Sequence, residues 1–309
     1  MGHRTVAQPR FLVVGEALVD VVLPPDGAAR RSPGGSPLNV AVGLARLGIP
    51  TTLMTEVGDD ELGRLVLDHL EDSGVTVHPG SVVTDRRTST ATARLDGAGA
   101  ASYDFDLSWD LGPRDLPEAV TALHVGSLGT TLRPGRDHVV RLVRQAAERG
   151  LPVSFDPNAR PSVTPDAAAA WQDALEVAAS SSVVKLSDED LDFLAPSTSP
   201  DEVAATLLAG GARLVVVTFG GGGAFAASRD AVVRTASRPV EVADTVGAGD
   251  SFMAALLAVV VEHGLAGLRA HRLEQYVAAA HEAAAVTVSR PGADPPRRDE
   301  LPKAWPGVD

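Results

Sequence analysis

The chain has 309 residues, of which 44% are hydrophobic and 22% charged, so it can bury the core of one large domain or two small ones. A formal net charge of −13 argues against a nucleic-acid partner, because such binding depends largely on Lys and Arg neutralising phosphates. The absence of cysteine excludes disulfides, thiolate metal sites and cysteine nucleophiles. The longest apolar run, residues 252–261, is too short to span a bilayer, so we expect no membrane partner and a cytoplasmic protein that acts on small molecules.

Short runs of β-branched residues alternate with longer segments of helical period, which is typical of βα units and a mostly parallel sheet. The predicted strands are residues 11–22, 51–56, 122–125, 152–156, 182–186 and 214–218. The predicted helices are residues 37–47, 60–73, 137–149, 167–179, 188–194 and 200–209, with a further apolar helix that ends near residue 263. The pattern predicts an α/β fold.

Residues 88–109 break this alternation and predict a β-hairpin, with its turn at residues 96–99, inserted into the α/β body. In its second half aromatic and apolar residues alternate with polar ones, which predicts an aromatic face formed by Tyr103, Phe105, Leu107 and Trp109. This face can pack on the body, cover a ligand as a lid, or contact a second subunit in a homodimer.

Residues 242–252 carry the strongest chemical signal, and they predict a short strand leading into the apolar helix. The small residues Gly247, Ala248 and Gly249 allow several backbone N–H groups to point at one spot beside the positive end of that helix. Asp250 follows at the helix start, where a carboxylate can accept a proton from an attacking hydroxyl. The segment predicts an anion hole beside a general base, unless Asp250 or Asp244 merely caps the helix.

A second segment, residues 33–41, predicts the start of a buried helix. Ser36 is the expected N-cap and Pro37 the first helical residue. Asn39 is the polar exception on this apolar helix, and its amide needs hydrogen-bond partners, either sugar hydroxyls or protein groups.

Two carboxylates share one face of the predicted strand 11–22. Glu16 and Asp20 lie on that face because side chains alternate along a strand, and a buried carboxylate is costly unless it is paired or hydrogen-bonded. Asp20, at the end of the strand, can accept hydroxyl hydrogen bonds from a polyol or pair with an arginine.

Two segments together resemble the signatures of one family, the PfkB or ribokinase-like sugar kinases. The first signature is similar to Gly34-Gly35-Ser36-Pro37-Leu38-Asn39-Val40-Ala41. The second is similar to Asp244-Thr245-Val246-Gly247-Ala248-Gly249-Asp250. Both motifs are long, independent and in the expected order, and the resemblance extends over most of the chain.

The resemblance implies a three-layer α/β sandwich with a mostly parallel central sheet and a small β-sheet lid. It implies a kinase domain over residues 11–292 with lid strands at about 17–35 and 86–112, between a flexible leader (1–10) and an irregular C-terminal tail (293–309). The implied reaction is ATP-dependent phosphorylation of a sugar hydroxyl, with Mg²⁺ and, in many members, K⁺ as cofactors.

The resemblance also implies roles for individual residues. Asp250 resembles the catalytic base, and the amides of Gly247, Ala248 and Gly249 resemble the anion hole. The implied substrate contacts are Asp20, Gly34, Gly35, Asn39, Phe105, Asn158 and Arg160. The implied nucleotide contacts are Lys185, Ser187, Thr218, Gly220 and Gly223, and part of a monovalent-cation site is implied for Asp244 and the carbonyl of Val246.

One motif departs from the family pattern. Members often carry Lys-x-Asn-x-x-Glu after a central strand, and this chain has Lys185, Ser187 and Asp190 at those positions. Asp190 is shorter than Glu by one methylene and Ser187 lacks the amide, so contact between Asp190 and Mg²⁺ is expected through water.

The aromatic hairpin, Asp20 and the Ser187-x-x-Asp190 motif are most similar to bacterial fructokinases. Kinases of 2-keto-3-deoxygluconate, ribose or a nucleoside are the alternatives. A keto-acid substrate would need an arginine near its carboxylate, for which the candidates are Arg86, Arg87, Arg94 and Arg160. A non-catalytic sugar sensor is disfavoured because Asp250 and the 247–249 turn are intact. A dinucleotide-binding oxidoreductase is disfavoured because no G-x-G-x-x-G motif follows the first strand.

Overall fold

The computed structural model describes residues 10–24, 27–95 and 101–308, and for residues 95 and 101–103 the backbone only. The strands described are β1 (Phe11–Val14), β2 (Leu18–Leu23), β3 (Arg30–Gly34), β4 (Thr51–Met54), β5 (Val57–Gly58), β6 (Thr76–Val77), β7 (Val82–Val83), β8 (Thr90–Leu95), β9 (Ala101–Asp106), β10 (Ala122–Gly126), β11 (Val153–Asp156), β12 (Val183–Ser187), β13 (Leu214–Thr218), β14 (Ala224–Ala227) and β15 (Val232–Thr235). The helices are α1 (Ser36–Arg46), α2 (Glu61–Asp72), α3 (Gly135–Glu148), α4 (Ala167–Ala178), α5 (Asp188–Leu194), α6 (Pro200–Ala209), α7 (Ala248–His263) and α8 (Ala270–Val288).

Nine strands form the main sheet, in the order β15-β14-β13-β12-β11-β10-β1-β4-β6. Neighbours pair in parallel except at β14, which is antiparallel to both β13 and β15. One apolar cluster joins the sheet to α1, α2, α7 and α8, and a second joins it to α3, α4, α5 and α6. Helices therefore cover both faces, as a buried parallel sheet requires, and the predicted α/β sandwich is confirmed.

A second sheet has four strands in the order β3-β2-β8-β9. Its outer pairs are antiparallel and its central pair, β2 with β8, is parallel. The fully buried Val19 of β2 packs this sheet against the core of the main body. The predicted hairpin is confirmed as the β8–β9 pair, and its predicted turn at residues 96–99 lies outside the described residues.

The single strand predicted over residues 11–22 is wrong, because the chain there forms two strands in two different sheets. β1 ends at Val14 in the main sheet, and β2 begins at Leu18 in the four-stranded sheet. At Gly15 a Cβ atom would lie 2.3 Å from Cγ of Pro37, so the chain changes direction where it passes closely beneath the start of α1. The apolar pattern continues through this break because both strands pack against the same core.

The predicted aromatic face of the hairpin is wrong beyond Asp106, where β9 ends. Trp109 lies in the main body, buried to 5% exposure, and its indole Nε1 donates to the carbonyl of Gly129 at 3.1 Å. Trp109 therefore anchors the end of the hairpin and does not belong to a lid surface.

Residues 236–243 form no regular element, so the short strand predicted before α7 is wrong. Val242, at which the predicted segment begins, is exposed by 59%. The strands of this region are the earlier pair β14 and β15, which the sequence analysis missed, as it did α8.

The C-terminal segment 293–308 is irregular apart from one short 3-10 turn (Arg298–Glu300). It is nevertheless part of the core, because Leu301 and Trp305 are buried and Trp305 Nε1 donates to the carbonyl of Ala279 at 2.9 Å. Most of the predicted leader, residues 1–9, lies outside the described residues. Within the described part of the chain, no helix has the length and apolarity to cross a membrane.

Candidate active site

The predicted site residues gather where the parallel strands end. Glu16 follows β1, Asn158 and Arg160 follow β11, Ser187 ends β12 and Thr218 ends β13. In an open α/β sheet the carboxyl ends of the strands form the usual ligand-binding edge. The main sheet thus brings segments that are distant in the sequence to one edge.

The turn that begins α7 has the features of an anion-binding site. Gly247 is its N-cap with φ of 75°, a left-handed conformation that favours glycine, and a Cβ atom there would lie 2.7 Å from Cβ of Ala293. The first N–H groups of a helix have no intrahelical acceptor and carry the positive end of its dipole. The 247–249 turn can therefore bind a phosphate group through its backbone.

Asp244 stabilises the 247–249 turn and its connection to Gly292 through two hydrogen bonds. Its Oδ1 accepts a hydrogen bond from N–H of Val246 at 3.0 Å, and its Oδ2 accepts one from N–H of Gly292 at 2.9 Å. These hydrogen bonds hold the pKa of Asp244 below its usual range. The carboxylate is thus ionised and next to the turn, and the monovalent-cation role of Asp244 and of the Val246 carbonyl stays a prediction.

Asp250 is directed away from its own helix and toward α1. Ser36 Oγ donates to its Oδ1 at 2.6 Å, and Asn39 Nδ2 donates to its Oδ2 at 2.8 Å. Asp250 therefore does not cap α7. Ser36 is not an N-cap either, since Gly35 holds that position and makes no side-chain capping bond. Ser36 is thus a site residue whose role the sequence analysis missed, because the contact joins residues 214 positions apart.

The two motifs meet because α1 and α7 pack closely. At Gly43 of α1 a Cβ atom would lie 2.6 Å from Cβ of Ala254 on α7. Any larger residue at position 43 would push the helices apart. Helix packing therefore sets the distance between Asn39 and Asp250.

A buried ion pair lies beneath the 247–249 turn. Lys185 Nζ and Asp156 Oδ2 are 2.7 Å apart, and both side chains are nearly inaccessible. The same ammonium lies 3.4 Å from the position that a Cβ atom on Gly249 would occupy. Lys185 thus places a positive charge directly under the turn.

Three carboxylates surround this ammonium. Burial alone would lower the pKa of Lys185, but Asp156, Asp190 and Asp250 raise it above its ordinary value, so the lysine stays charged. Burial raises the pKa of Asp156 to about 6, although Lys185 opposes that shift. Asp156 was not predicted as a site residue, although it ends a buried strand and Lys185 is one of only two lysines in the chain.

Asp190 accepts three hydrogen bonds from the protein. Its Oδ2 accepts from the backbone N–H and the hydroxyl of Ser187, both at 2.8 Å, and its Oδ1 accepts from N–H of Ala159 at 2.6 Å. The pair forms the capping box of α5. It also fixes the loop that carries Asn158, whose φ of 37° is unusual for a residue other than glycine.

The four-stranded sheet places two predicted substrate contacts in one row. Asp20 pairs with Ala91 in the strand register, and Ala91 pairs with Phe105, so Asp20 and Phe105 share a face two strands apart. A Cβ atom on Gly34 would lie 2.1 Å from Asp20 Oδ2. Only glycine at position 34 leaves space for the Asp20 carboxylate.

Two acidic groups lie near Arg160 at the mouth of the site. Burial raises the pKa of Asp20 to about 6, and the exposed Arg160 opposes the shift. Burial also raises the pKa of Glu16 to about 7, against hydrogen bonds from Ser127 and Gly129 and the charge of Arg160. Glu16 Oε2 accepts from N–H of Gly129 at 2.9 Å, so Glu16 joins the ends of β1 and β10.

The predicted nucleotide contacts lie farther along the same edge. Thr218 pairs with Ser187 in the register of β13 and β12. Gly220 begins a 3-10 turn with φ of 49°, and a Cβ atom on Gly223 would lie 1.9 Å from the Thr235 carbonyl. These glycines keep the loop close to the sheet, and their contact with a nucleotide stays a prediction.

The arginine candidates for a substrate carboxylate lie in different environments. Arg86 pairs with Glu56 at 3.0 Å and with Asp110 at 3.3 Å, so it joins parts of the fold. Of the other three, Arg87 and Arg94 are exposed, and Arg160 carries a charge that acts on Asp20 and Glu16.

Comparison with known proteins agrees with this geometry. The model of the pfkB family carbohydrate kinases matches residues 8–300. A fructokinase from Klebsiella pneumoniae is 35% identical over 272 residues, which are 83% of this chain and 86% of that protein. The crystal structure of a fructokinase from Xylella fastidiosa with bound ATP superposes with a TM-score of 0.81 at 27% identity, covering 95% of each chain.

A second crystal structure is similar over almost the same length. It is a double mutant of fructokinase from Vibrio cholerae O395 bound to fructose, ADP and a potassium ion. Its TM-score is 0.78 at 28% identity, covering 93% of this chain and 94% of that one.

Proposed function

The chain belongs to the pfkB family of carbohydrate kinases and phosphorylates a sugar with ATP, and from that premise we propose that it is a fructokinase. The observation that carries the proposal is the contact of Asp250 with Ser36 and Asn39. This contact brings the start of α1, which is assigned to the sugar, and the 247–249 turn, which is assigned to the phosphate, to one carboxylate. The names of the relatives supply fructose as the sugar.

The proton of the sugar hydroxyl goes to Asp250. As the hydroxyl oxygen bonds to the γ-phosphorus of ATP, the bond from that phosphorus to the β–γ bridging oxygen breaks and ADP leaves. Phosphoryl transfer has a loose transition state, so positioning and charge stabilisation provide most of the catalysis. Asp250 lies at the start of α7, next to where the transferred phosphoryl group would bind.

The charge on the transferred group is stabilised by backbone amides and by Lys185. Amides of the 247–249 turn are fixed before substrate binds, and fixed donors cost no reorganisation during the reaction. Lys185 Nζ lies below the same turn and is shielded from water. It acts as a fixed positive charge, and Arg160 approaches from the solvent side.

We assign sugar binding to the four-stranded sheet and the start of α1. Asp20 is an acceptor for sugar hydroxyls, Asn39 is a donor and acceptor, and the Phe105 ring shares a face with Asp20. Gly34 and Gly35 let the backbone approach the sugar. Thr218, Gly220 and Gly223 are assigned to the nucleotide.

Mg²⁺ is proposed to arrive with ATP. Among residues 10–24, 27–95 and 101–308, no three His, Asp or Glu side chains form a cluster that would hold a metal ion, and Asp190 is engaged by three hydrogen bonds. This fits Mg²⁺, which commonly takes most of its ligands from substrate phosphates and water. When bound, it neutralises charge on the phosphates, and Asp190 is assigned to contact it through water.

The function is tested by measuring ADP release from Mg-ATP, with and without K⁺. The panel is fructose, ribose, 2-keto-3-deoxygluconate, adenosine and tagatose. We expect fructose to give the highest kcat/KM and K⁺ to stimulate the rate through the Asp244 and Val246 site. A different single sugar would overturn the fructose assignment alone. Silence across the panel with ATP binding retained would favour the sensor alternative.

We propose that two copies of the chain associate through the four-stranded sheet, in the cytoplasm where ATP is available. The interface would be the face of β9 that carries the half-buried Phe105, while the exposed Asp104 lies on the other face, and aromatic side chains are enriched at protein interfaces. Sedimentation equilibrium should show a dimer that Phe105→Asp converts to monomer. Asp104→Ala, on the opposite face of β9, should leave the dimer intact, and a monomeric wild type contradicts the proposal.

A further inference from the structure

The hydroxyl of Ser36 makes a hydrogen bond that is unusual for a serine at the start of a helix. Ser36 is the first residue of α1, and the N-cap before it, Gly35, makes no side-chain capping bond. A serine at a helix start usually bonds its own backbone, but here Oγ donates to Asp250 Oδ1 at 2.6 Å. Ser36 and Asp250 are exposed by only 6% and 8%. This bond therefore forms away from bulk water between two different helices.

The second oxygen of Asp250 has a different partner. Asn39 Nδ2 donates to Oδ2 at 2.8 Å, and Asn39 is also assigned to the sugar. A sugar hydroxyl that binds beside Asn39 meets Oδ2, which has a lone pair left. Ser36 has no described side-chain hydrogen bond besides the one to Asp250, so its bond to Oδ1 need not change when sugar binds.

We infer that Ser36 is a positioning residue for the catalytic base. Its hydroxyl holds Oδ1 of Asp250, so that Oδ2 faces the sugar hydroxyl whose proton it accepts. A hydrogen bond to an ionised carboxylate is short and strong, so this bond fixes the orientation of the Asp250 side chain. The inference rests on the proposed function, because it assumes that Asp250 is the base.

Other charged groups near Asp250 do not contact Ser36. They are Lys185 on β12, Asp156 on β11 and Asp190 on α5. Removing the Ser36 hydroxyl leaves these groups unchanged. A lower kcat of a Ser36 variant at constant KM for ATP therefore reports on the position of the Asp250 carboxylate.

The test is the variant Ser36→Ala, assayed with fructose and Mg-ATP. We expect kcat to fall by about tenfold, as for the loss of one charge-assisted hydrogen bond. KM for ATP should stay within about twofold. Ser36→Cys keeps the side-chain size but donates weakly, so its kcat should lie between those of wild type and Ser36→Ala.

Ser251→Ala is the matched control. Ser251 is the neighbour of Asp250, is buried to 2% exposure, and its hydroxyl bonds that of Thr287 at 2.7 Å. This variant loses a buried hydroxyl and some stability, but it should keep the kcat of wild type and its KM for ATP. A control with the same rate loss as Ser36→Ala would attribute both losses to packing and overturn the inference.

The variant Asp250→Asn separates this inference from the function on which it rests. If Ser36 acts through the Asp250 carboxylate, adding Ser36→Ala to Asp250→Asn should cause little further loss. Fully additive losses would overturn the inference. A near wild-type rate in Asp250→Asn would instead overturn the role of Asp250 as the base. A wild-type kcat in Ser36→Ala, with Asp250→Asn inactive, would overturn only the role of Ser36.

Discussion

The two sides of the site hold their carboxylates in opposite ways. On the main-sheet side, Asp250, Asp190 and Asp156 all have protein partners, from Ser36, Asn39, Ser187, Ala159 and Lys185. On the side of the four-stranded sheet, Asp20 accepts no hydrogen bond from any residue that the structure describes, and only the charge of Arg160 acts on it.

This difference indicates that the main-sheet side carries out phosphoryl transfer and that the side of the four-stranded sheet recognises the sugar. On the main-sheet side each of these carboxylates has a protein partner before substrate arrives, although Oδ1 of Asp156 is buried without one, and such fixed charges can stabilise a transition state. The four-stranded side leaves a partly buried acceptor unfilled, so the hydroxyls of the sugar complete it. Changes on the first side should therefore lower kcat or stability, and changes on the second should raise KM for the sugar.

The largest effect is expected for Asp250→Asn. Loss of the base should lower kcat by about 10²- to 10⁴-fold, whereas KM for ATP should stay nearly constant because Asn keeps the shape of the side chain. Steady-state kinetics with saturating fructose, together with the thermal unfolding midpoint as a control for folding, test this. A variant within threefold of the wild-type kcat would contradict the role of Asp250.

A large effect on stability is expected for Lys185→Met. The substitution leaves Asp156 buried without its ion-pair partner, which should lower the free energy of unfolding by about 3–5 kcal/mol. Urea denaturation measures this loss. The double variant Lys185→Met, Asp156→Asn should recover part of the stability, because no buried charge is left unpaired.

The rate of that double variant tests the second role of Lys185. Since the positive charge beneath the 247–249 turn is still absent, kcat should stay at least about tenfold below wild type, as for a lost electrostatic contact. Recovery of both stability and kcat would show that Lys185 only neutralises Asp156.

The contrast also explains how much the sequence could predict. The 247–249 turn and the start of α1 are predictable because glycines, Pro37 and Asn39 carry local signals that need no tertiary contact. The bond from Ser36 to Asp250 is not, because only the packing of α1 on α7 at Gly43 and Ala254 creates it.

The errors have similar physical causes. Alternation of polar and apolar residues does not show where a strand ends, which explains both the single strand predicted over residues 11–22 and the placing of Trp109 on the hairpin face. The short strand β14, with the sequence AFAA, has too little β-branched character to be recognised. The burial of Trp305 in an irregular segment likewise depends on contacts with α8 that no local pattern records.

The smallest and most specific effect concerns Asp20 and pH. Burial raises the pKa of Asp20 to about 6, so in the free enzyme its carboxyl becomes protonated as the pH falls through that value. A protonated carboxyl is a poorer acceptor for sugar hydroxyls, so KM for fructose should rise by up to about tenfold between pH 7 and pH 5, while KM for ATP changes little. Asp20→Asn should have a higher KM for fructose that no longer depends on pH, with kcat near wild type at pH 7. If the dependence persists in Asp20→Asn, the titrating group is another, and Glu16, whose pKa burial raises to about 7, is the one that Glu16→Gln would then test.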